Sequence, residues 1–596
     1  MKNLYRKFFT SIFLMVTAFA SVHSQEIIAN VEGRHYLSLN GKWQTIIDPF
    51  NQGAGNWKPI WKDQTPVSKT DFYEYKFDSV VTLNVPGDWN SQNPELRYYE
   101  GTVWYKKTIT FKKTNNKKIF LYFSGVSYEC DVYVNNEKAG SHEGSFTAFQ
   151  FDVTDKIKNG DNSIIVRVNN TRRVDGIPAM NFDWWNYGGI TRDVYLVETP
   201  ALFIRDYFIQ LAKNSKTEIK GWIDLNEPTV KKISVLIPEL KIKYNTQTDG
   251  SGRALIKVSG KPVLWSPQHP KLYDVIIKSE TDSVRESIGF RNIAVKGNEI
   301  LLNNKSVFLK GVNIHEEIPQ RAGRAWSEAD AMQLLNSAKE LGCNFVRLTH
   351  YPHNEHMIRL ADKMGIMLWE EIPLWQGIQF TNPEILKKAN RLLDEMIARD
   401  KNRCAIILWS LSNETTPSDS RNQTLAAMAA HARSLDSTRL ITSAFNHVVY
   451  DKNTVTIEDP LSESLDVLAV NEYLGWYSPW RAKPEEMEWK SLYNKPLIMS
   501  EFGGEALSAN HGLADVLSSW SEESQAEIYR QQITMFKRIP FLRGTCPWVL
   551  IDFRSPTRMH PKFQQGWNRK GLIGSNGLKK LAWYVMEKYY KEIETK

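Results

Sequence analysis

The sequence predicts a multidomain protein in which two all-β sandwiches are followed by a (β/α)8 barrel. Three observations support this prediction. The chain has 596 residues, which is too many for one hydrophobic core and indicates several domains. The N-terminal half consists of short alternating apolar runs separated by Gly, Asn and Asp, a pattern typical of strands and turns. In the C-terminal half, apolar runs alternate with segments of helical period, which is typical of β/α units.

The all-β part divides near Pro200 into two sets of strands. The first set, within residues 25–199, includes "KIFLYFSGV", "CDVYVNN", "NSIIVRV" and "RDVYLVET". The second set, within residues 200–293, includes "ALFIRDYFIQLA", "EIKGWIDL", "KISVLIP" and "LYDVIIKS". Two sandwiches in series explain these short strands better than one sheet does.

Eight apolar strand candidates occur in order in residues 294–596. They are "SVFLKGVN", "CNFVRLTH", "GIMLWEE", "AIILWSLS", "LITSAF", "LDVLAVNEY", "PLIMSEF" and "GTCPWVLIDF". Most precede a segment of helical period, and the first such segment has a clear start signal, Ser327 before the acidic turn of Glu328 and Asp330. Eight such units match a (β/α)8 barrel, whose active site lies at the C-terminal ends of the strands.

Polar and ionisable residues occupy the C-terminal ends of most of these candidates. Two of them, Glu414 after the fourth and Glu501 after the seventh, are carboxylates on roughly opposite sides of the predicted barrel mouth. Glycoside hydrolysis needs two such carboxylates, one to donate a proton and one to attack the anomeric carbon. For a single strand-end Glu, the competing interpretation is an ion pair with a barrel arginine.

Residues 1–24 have the features of a signal peptide. Lys2, Arg6 and Lys7 precede the apolar run "TSIFLMVTAFA", and small residues follow near Ser24. The run is too short for a permanent membrane-spanning helix. No Cys lies near it, so the sequence does not predict a lipid anchor. We therefore expect a periplasmic or secreted protein without a membrane anchor. The widely spaced cysteines are expected to be free and mostly buried: Cys130, Cys343, Cys404 and Cys546.

The sequence predicts neither a nucleic-acid partner nor a cofactor. Lys and Arg number 75 against 67 Asp and Glu, and no basic cluster is interleaved with aromatic residues. His350, His353 and His356 recur every three residues, which raises the alternative of a metal site. Pro352 makes one regular helix through all three unfavourable, so we expect no metal.

Four motifs, "WSLSNE", "IMSEFGG", "RLTHYPH" and "WNYGGITRDVYL", resemble those of glycoside hydrolase family two, the β-galactosidase, β-glucuronidase and β-mannosidase group. The resemblance covers essentially the whole chain after the signal peptide. It implies a jelly-roll-like sugar-binding domain at 25–199, an immunoglobulin-like sandwich at 200–293 and a catalytic barrel at 294–596.

The resemblance also implies roles for individual residues. Glu414 would be the general acid/base and Glu501 the nucleophile of a retaining mechanism, with their carboxyl groups roughly 5 Å apart. Asn413 would bind the sugar 2-hydroxyl, Tyr473 would hold Glu501 ionised and oriented, and Trp548 would form an apolar wall, with barrel packing as its alternative role.

Two further residues are implied as pocket residues. His350 would line the substrate pocket, and Asp183, in "NFDWWNYGG", would contact a sugar hydroxyl. The alternative for Asp183 is an ordinary turn aspartate.

The segment "GWNRKGL" bears on which sugar is bound. Its Asn568 and Lys570 resemble the Asn-x-Lys motif with which β-glucuronidases bind the sugar carboxylate, and Tyr477 in "NEYLGWY" resembles a tyrosine that reaches the same group. Gln564 stands where those enzymes tend to have an Arg, and Asn-x-Lys-Gly also occurs in members that act on neutral sugars. We predict an exo-acting β-glucuronidase, with β-galactosidase as the alternative.

The connection after strand three, "WEEIPLWQGIQFTNPEI", is short. Some β-glucuronidases carry a long loop here that favours small glucuronides, so its absence predicts an open mouth suited to the end of an oligosaccharide, and polysaccharide breakdown as the role. An inactive carbohydrate-binding protein is the alternative of another class. The sequence leaves open whether the chain forms a homo-oligomer.

Overall fold

The structure is a computed structural model that describes residues 26–55, 59–65, 67–71, 75–77 and 81–594. The predicted signal peptide, residues 1–24, lies outside the described residues. Within the described ranges, no helix combines the length and the apolar character needed to cross a bilayer.

The first sandwich packs two antiparallel sheets against each other. The six-stranded sheet runs in the spatial order Thr82–Val85, Gly41–Asp48, Thr102–Phe111, Gly160–Asn169, Glu129–Val134 and Glu137–Glu143. The four-stranded sheet runs in the order His35–Ser38, Val194–Pro200, Lys117–Phe123 and Phe149–Asp152. Their inward side chains meet in one core, with Trp43 and Val132 from the first sheet against Leu121 and Leu196 from the second.

The second sandwich is smaller and is built in the same way. Its three-stranded sheet contains Ile204–Leu211, Glu218–Leu225 and Arg253–Ser259, and its four-stranded sheet contains Ile242–Gln247, Lys232–Ile237, Tyr273–Lys278 and Ser283–Ile288. Ile209 and Ile223 of one sheet pack in a common core with Val235 and Val275 of the other. A small sheet of Ile293–Lys296, Glu299–Leu302 and Lys305–Ser306 then leads into the barrel.

The third domain is a closed barrel of parallel strands, which confirms the predicted fold class. The first strand is interrupted at residues 311–312: Leu309–Lys310 pairs with the eighth strand and Asn313–His315 with the second, so this strand closes the barrel. The remaining strands are Phe345–Thr349, Met367–Glu371, Ile406–Asn413, Leu440–Phe445, Leu468–Asn471, Leu497–Glu501 and Leu542–Thr545.

Helices follow six of the barrel strands. They are Glu328–Glu340, Glu355–Met364, Pro383–Asp400, Asp419–Leu435, Glu522–Phe536 and Leu581–Glu594. The predicted start at Ser327 is confirmed, since its hydroxyl and the Asp330 carboxylate form a reciprocal capping box. Strands five and six are followed instead by the short 3-10 turns Pro460–Ser464 and Pro484–Glu486. Every residue from 81 to 594 is described, so this stretch of the barrel departs from a strict β/α repeat.

The eighth strand is shorter than predicted. The sequence run extends to Phe553, whereas the strand ends at Thr545, and Trp548 and Asp552 lie in the connection that follows. Pro547 has no N–H to donate to a strand ladder, which explains why pairing stops before it. The prediction for the cysteines is confirmed: Cys130, Cys343, Cys404 and Cys546 are all free and buried.

A loop of the first sandwich reaches the mouth of the barrel. Trp185 N donates to Arg554 O at 3.0 Å, and the buried Arg192 forms an ion pair with Glu316 at 3.0 Å. These contacts fix residues 181–187 over the C-terminal ends of the strands, where they complete the wall of a cavity.

Candidate active site

A cavity of about 610 Å³ lies at the C-terminal ends of the barrel strands. Its walls come from the segments that follow strands two to eight and from residues 181–183 of the first sandwich. Eight of the predicted site residues line it: Asp183, His350, Glu414, Tyr473, Tyr477, Glu501, Trp548 and Lys570. Asn413 and Asn568 are buried directly beside these lining residues. A cavity of this size accommodates a small-molecule ligand.

Glu501, the last residue of strand seven, is held by donors on both oxygens. Arg347 Nη1 donates to Oε1 at 2.8 Å, and the Tyr473 hydroxyl donates to Oε2 at 2.8 Å. Burial raises the pKa of Glu501 to about 8; Arg347 opposes this shift and the neighbouring Glu414 charge adds to it. The two donors hold the carboxylate in one orientation at the cavity.

Glu371 links Arg347 to His350. Its Oε1 accepts from Arg347 Nη2 at 3.0 Å and from His350 Nδ1 at 2.8 Å. Burial opposes its charge, but Arg347 and His350 hold the pKa of Glu371 below its usual value. Burial also lowers the pKa of His350, so its ring is neutral. Because Nδ1 of this neutral ring donates to the Glu371 carboxylate, Nε2 carries no proton and can accept a hydrogen bond. His350 Nε2 lies 3.8 Å from Glu501 Oε1.

Glu414 follows directly after strand four and has φ 53°, in the left-handed region that non-glycine residues seldom occupy. Both of its carboxylate oxygens accept hydrogen bonds from amides. Gln376 Nε2 donates to Oε2 at 2.8 Å and Asn471 Nδ2 donates to Oε1 at 2.9 Å. A strained backbone held by its surroundings in this way is characteristic of functional sites.

Asn413 has an unused donor. Its Oδ1 accepts from Arg347 at 2.7 Å and from Asn471 at 3.1 Å. Its Nδ2 is buried and has no hydrogen-bond partner among the described residues. An unsatisfied buried donor costs roughly 1–3 kcal/mol, and a ligand hydroxyl would remove that cost.

An aromatic cluster forms the apolar part of the cavity wall. Trp548, which is 4% exposed, stacks on His350 with ring centroids 4.8 Å apart. Phe182, Trp184 and Phe553 belong to the same buried cluster as Trp548. Trp548 therefore lines the cavity and also packs against buried aromatic rings, and its role toward a sugar stays a prediction.

Lys570 brings a buried positive charge to the cavity. Its Nζ donates to the Tyr477 hydroxyl at 2.6 Å and to Glu505 Oε1 at 3.0 Å. Burial alone would lower the pKa of Lys570, but Glu505 outweighs it and the pKa is raised. Burial opposes the charge of Glu505, yet Lys570 and Arg558 hold the pKa of Glu505 below its usual value. Both groups are therefore charged.

Arg558 is a second cation on the cavity wall, and it binds Asp183. Its Nη2 donates to Asp183 Oδ2 at 2.5 Å, and its Nη1 lies 3.5 Å from Glu505. Asp183 also accepts from Asn568 Nδ2 at 3.1 Å and from Thr557 Oγ1 at 2.7 Å. The Asp183 carboxylate is thus engaged by protein donors and joins the first sandwich to the loop after strand eight.

The three regularly spaced histidines have three different partners. His350 binds Glu371, His353 Nε2 faces the Thr349 carbonyl at 3.3 Å, and His356 Nε2 binds Asp193 at 3.1 Å. They do not converge on one point. In the part of the chain that the structure describes, no group of three His, Cys, Asp or Glu side chains is arranged to hold a metal ion.

Comparisons with known proteins agree with this architecture. Three family models match consecutive parts of the chain: the sugar binding domain of glycosyl hydrolases family 2 at residues 36–200, a further glycosyl hydrolases family 2 model at 202–291, and the family 2 TIM barrel domain at 293–591. The chain belongs to glycosyl hydrolases family 2.

Among relatives of this family 2 glycoside hydrolase, a β-glucuronidase from Paenibacillus borealis is 26% identical over 92% of this chain and 94% of its own length. A putative β-glucuronidase from Formosa agariphila is 27% identical over 86% of this chain and 67% of its own length. Among solved structures, a β-glucuronidase from Ruminococcus gnavus in complex with D-glucuronic acid superposes with a TM-score of 0.80 at 26% identity, over 94% of this chain and 98% of that one.

Several residues that hold this site together were given no individual role from the sequence. These are Arg347, Glu371, Gln376, Asn471, Glu505 and Arg558. Arg347, Glu371 and Asn471 end predicted strands, and that position was their available signal. The other three lie in loops, where hydrophobic periodicity carries no information about the direction of a side chain.

Proposed function

We propose that this family 2 glycosidase is an exo-acting, retaining β-glucuronidase that releases terminal uronic acid from oligosaccharides. The observation that carries the proposal is the buried Lys570, whose Nζ reaches the cavity beside the Tyr477 hydroxyl. A buried ammonium with an adjacent hydroxyl suits a sugar carboxylate, because charge-assisted hydrogen bonds are strong where water is excluded. Arg558 adds the second positive charge that Gln564 does not supply; Gln564 Nε2 instead binds Glu505 at 3.0 Å. The Paenibacillus borealis relative and the Ruminococcus gnavus structure are β-glucuronidases, and the Formosa agariphila relative is a putative one.

The mechanism that we propose uses the two strand-end carboxylates in turn. Glu501 attacks the anomeric carbon while the glycosidic C–O bond breaks and Glu414 protonates the departing oxygen. In the second step Glu414 takes a proton from a water molecule, whose oxygen attacks the anomeric carbon and releases Glu501. Asn413 Nδ2 would donate to the sugar 2-hydroxyl, an interaction that strengthens in the transition state.

One observation supports β-galactosidase as a second candidate. Both cations of the cavity already have a carboxylate partner, Lys570 in Glu505 and Arg558 in Asp183. A neutral sugar would leave these ion pairs intact, whereas a uronate adds a third negative charge next to two cations.

Kinetics on two aryl glycosides tests the proposal. We expect a higher kcat/KM on 4-nitrophenyl β-D-glucuronide than on the matching β-D-galactoside. The opposite preference would replace the sugar assignment by the second candidate. An absence of turnover on all common β-glycosides would instead support an inactive carbohydrate-binding protein.

We also propose that the protein is periplasmic or secreted and takes part in polysaccharide breakdown. The support is the signal-peptide pattern of residues 1–24, together with the short connection from Ile372 to Asn382 after strand three. Cell fractionation with a tagged full-length chain tests the location, and a retained N-terminus in purified material would contradict it.

A further inference from the structure

The cavity has two sides of different chemistry. On one side lie Lys570 and Arg558, from the loop after strand eight, and Tyr477, from the segment after strand six. On the other side lie Trp375 and Gln376 after strand three, with Asn446, Val448 and Tyr450 after strand five. Strands three, four and five are neighbours in the barrel, as are six, seven and eight. The two sets of residues therefore lie on opposite sides, with Glu414 after strand four on the Trp375 side and Glu501 at the end of strand seven on the Lys570 side.

This division sets the direction of a bound substrate. If the sugar carboxylate lies at Lys570, as the proposed function requires, the anomeric carbon lies between the two glutamates. The bond that Glu414 protonates then points away from Lys570, toward the segments after strands three and five. The leaving group must occupy that half of the cavity.

Trp375 is held rigidly in this second half. Its backbone forms a parallel bridge with Asn413, and the flanking bonds Asn413 N to Leu374 O and Gln376 N to Asn413 O are both 2.9 Å. Its ring packs edge-to-face on the buried Trp184, with centroids 5.8 Å apart and an interplanar angle of 81°. The indole remains half-buried and lines the cavity. A fixed, partly open indole offers an apolar face for the C–H side of a pyranose ring.

The charges on this side are unlike those at Lys570. Among the described residues that line the cavity, the positive charges are those of Arg558 and Lys570. The lining after strands three and five includes the amides of Gln376 and Asn446, and the Tyr450 hydroxyl there donates to the Glu472 carboxylate. The nearby cation Arg481 is exposed and stacks over the Tyr450 ring at 4.5 Å, outside the residues that line the cavity. Such a surface has donors and acceptors for hydroxyl groups, and the described residues that form it include no buried cation for an anionic group.

We infer that Trp375 and its surroundings form the binding subsite for the leaving-group sugar, and that this sugar is an uncharged pyranose rather than a sulfated or acidic one. This inference rests on the proposed function only for the direction of the substrate. It goes beyond it by naming the chemical class of the second sugar and the residue that binds it.

Substrates with and without a second sugar test the subsite. β-Glucuronosyl fluoride has no leaving-group sugar, β-glucuronosyl-galactose has a neutral one, and its 6-O-sulfated form has a charged one. We expect Trp375→Ala to lower kcat/KM on the neutral disaccharide about tenfold, which corresponds to roughly 1.4 kcal/mol of lost stacking. On the fluoride the change should stay within about twofold, because only the first sugar is bound.

Two variants serve as controls. Trp375→Phe keeps an aromatic face and should recover most of the activity on the disaccharide, which separates stacking from a folding defect. Trp326→Ala removes a half-buried tryptophan that lies outside the cavity. It should leave kcat/KM unchanged on both the fluoride and the disaccharide.

The outcomes distinguish the two proposals. An equal loss on the fluoride and the disaccharide with Trp375→Ala would overturn the subsite, and a wild-type preference for the sulfated disaccharide would overturn the uncharged sugar. If wild type hydrolyses galactosyl fluoride but not glucuronosyl fluoride, the proposed function fails. The fluoride and the disaccharide are then compared as galactosyl substrates. The loss of kcat/KM that Trp375→Ala causes on the disaccharide, relative to its loss on the fluoride, again tests whether Trp375 forms the subsite.

Discussion

Arg347 Nη1 donates to Glu501 Oε1 at 2.8 Å, although the two residues are 154 positions apart. The same guanidinium binds Glu371 and Asn413, so one buried cation connects the ends of strands two, three, four and seven. Both residues are buried: Arg347 is 0% and Glu371 is 1% exposed to solvent. The charges of this network must therefore be neutralised from within the protein.

The first prediction concerns this network. Arg347→Met leaves Glu371 and Glu501 without their shared partner and should lower the free energy of unfolding by about 3–5 kcal/mol. It should also abolish turnover, because Glu501, the proposed nucleophile, loses a donor and becomes harder to ionise. Thermal and denaturant unfolding, with activity assays well below the transition, measure both effects.

A matched control lies elsewhere in the same chain. Arg403 is buried and paired with Glu286 at 2.8 Å, outside the cavity. Arg403→Met should be comparably destabilised yet remain active at temperatures where it is folded. Full activity of folded Arg347→Met would contradict the role given to Arg347.

The second prediction separates the two carboxylates. Glu501→Gln should be inactive on every substrate, since no other group replaces the nucleophile. Glu414→Ala should keep partial activity on substrates with good leaving groups, because these need little protonation, and added azide should accelerate it. Product analysis by NMR should show retention of the anomeric configuration. An inverted product would refute the retaining mechanism.

The third prediction concerns pH. Burial raises the pKa of Glu501 to about 8, and the Glu414 charge contributes to this shift. In the proposed mechanism Glu501 attacks in its ionised form, so kcat/KM should rise with pH along an acid limb governed by Glu501. Glu414→Gln removes the like charge, makes Glu501 easier to ionise and should move that limb to lower pH. The measurement uses a 2,4-dinitrophenyl glycoside, which requires no acid catalyst.

The control for the pH experiment is Glu472→Gln. Glu472 also lines the cavity, but the carboxylate among the largest causes of the raised pKa of Glu501 is Glu414 and not Glu472. The acid limb of the pH profile of Glu472→Gln should coincide with that of wild type. A limb that does not move in Glu414→Gln would show that the two carboxylates are not electrostatically coupled.

The fourth prediction tests the sugar carboxylate. Lys570→Ala should lower kcat/KM on an aryl β-glucuronide by roughly 10–100-fold, the value of a charge-assisted hydrogen bond, and should barely affect any residual β-galactoside activity. Lys570→Met combined with Glu505→Gln avoids a stranded buried charge and should give the same selectivity change. Equal losses on both sugars would show that Lys570 supports the fold instead of reading the carboxylate.

Hydrophobic periodicity was enough to predict the order of the domains. The change from alternating runs to β/α units marks the start of the barrel, and the family models at 36–200, 202–291 and 293–591 match the same succession of parts. Strand ends were informative for the same reason. A residue such as Glu414 or Glu501 that ends a parallel strand lies at the barrel mouth whatever its distant neighbours are.

The pairing of these groups was decided only by the tertiary structure. Arg347 meets Glu501, and Gln376 meets Glu414, because closure of the barrel brings the ends of separate strands together. Arg558 likewise comes to the cavity through a loop whose path depends on its bonds to Asp183 in another domain. Local periodicity records which face of a strand or helix is buried. Which charge neutralises which depends on contacts between residues far apart in the chain, and these exist only once the domains have packed.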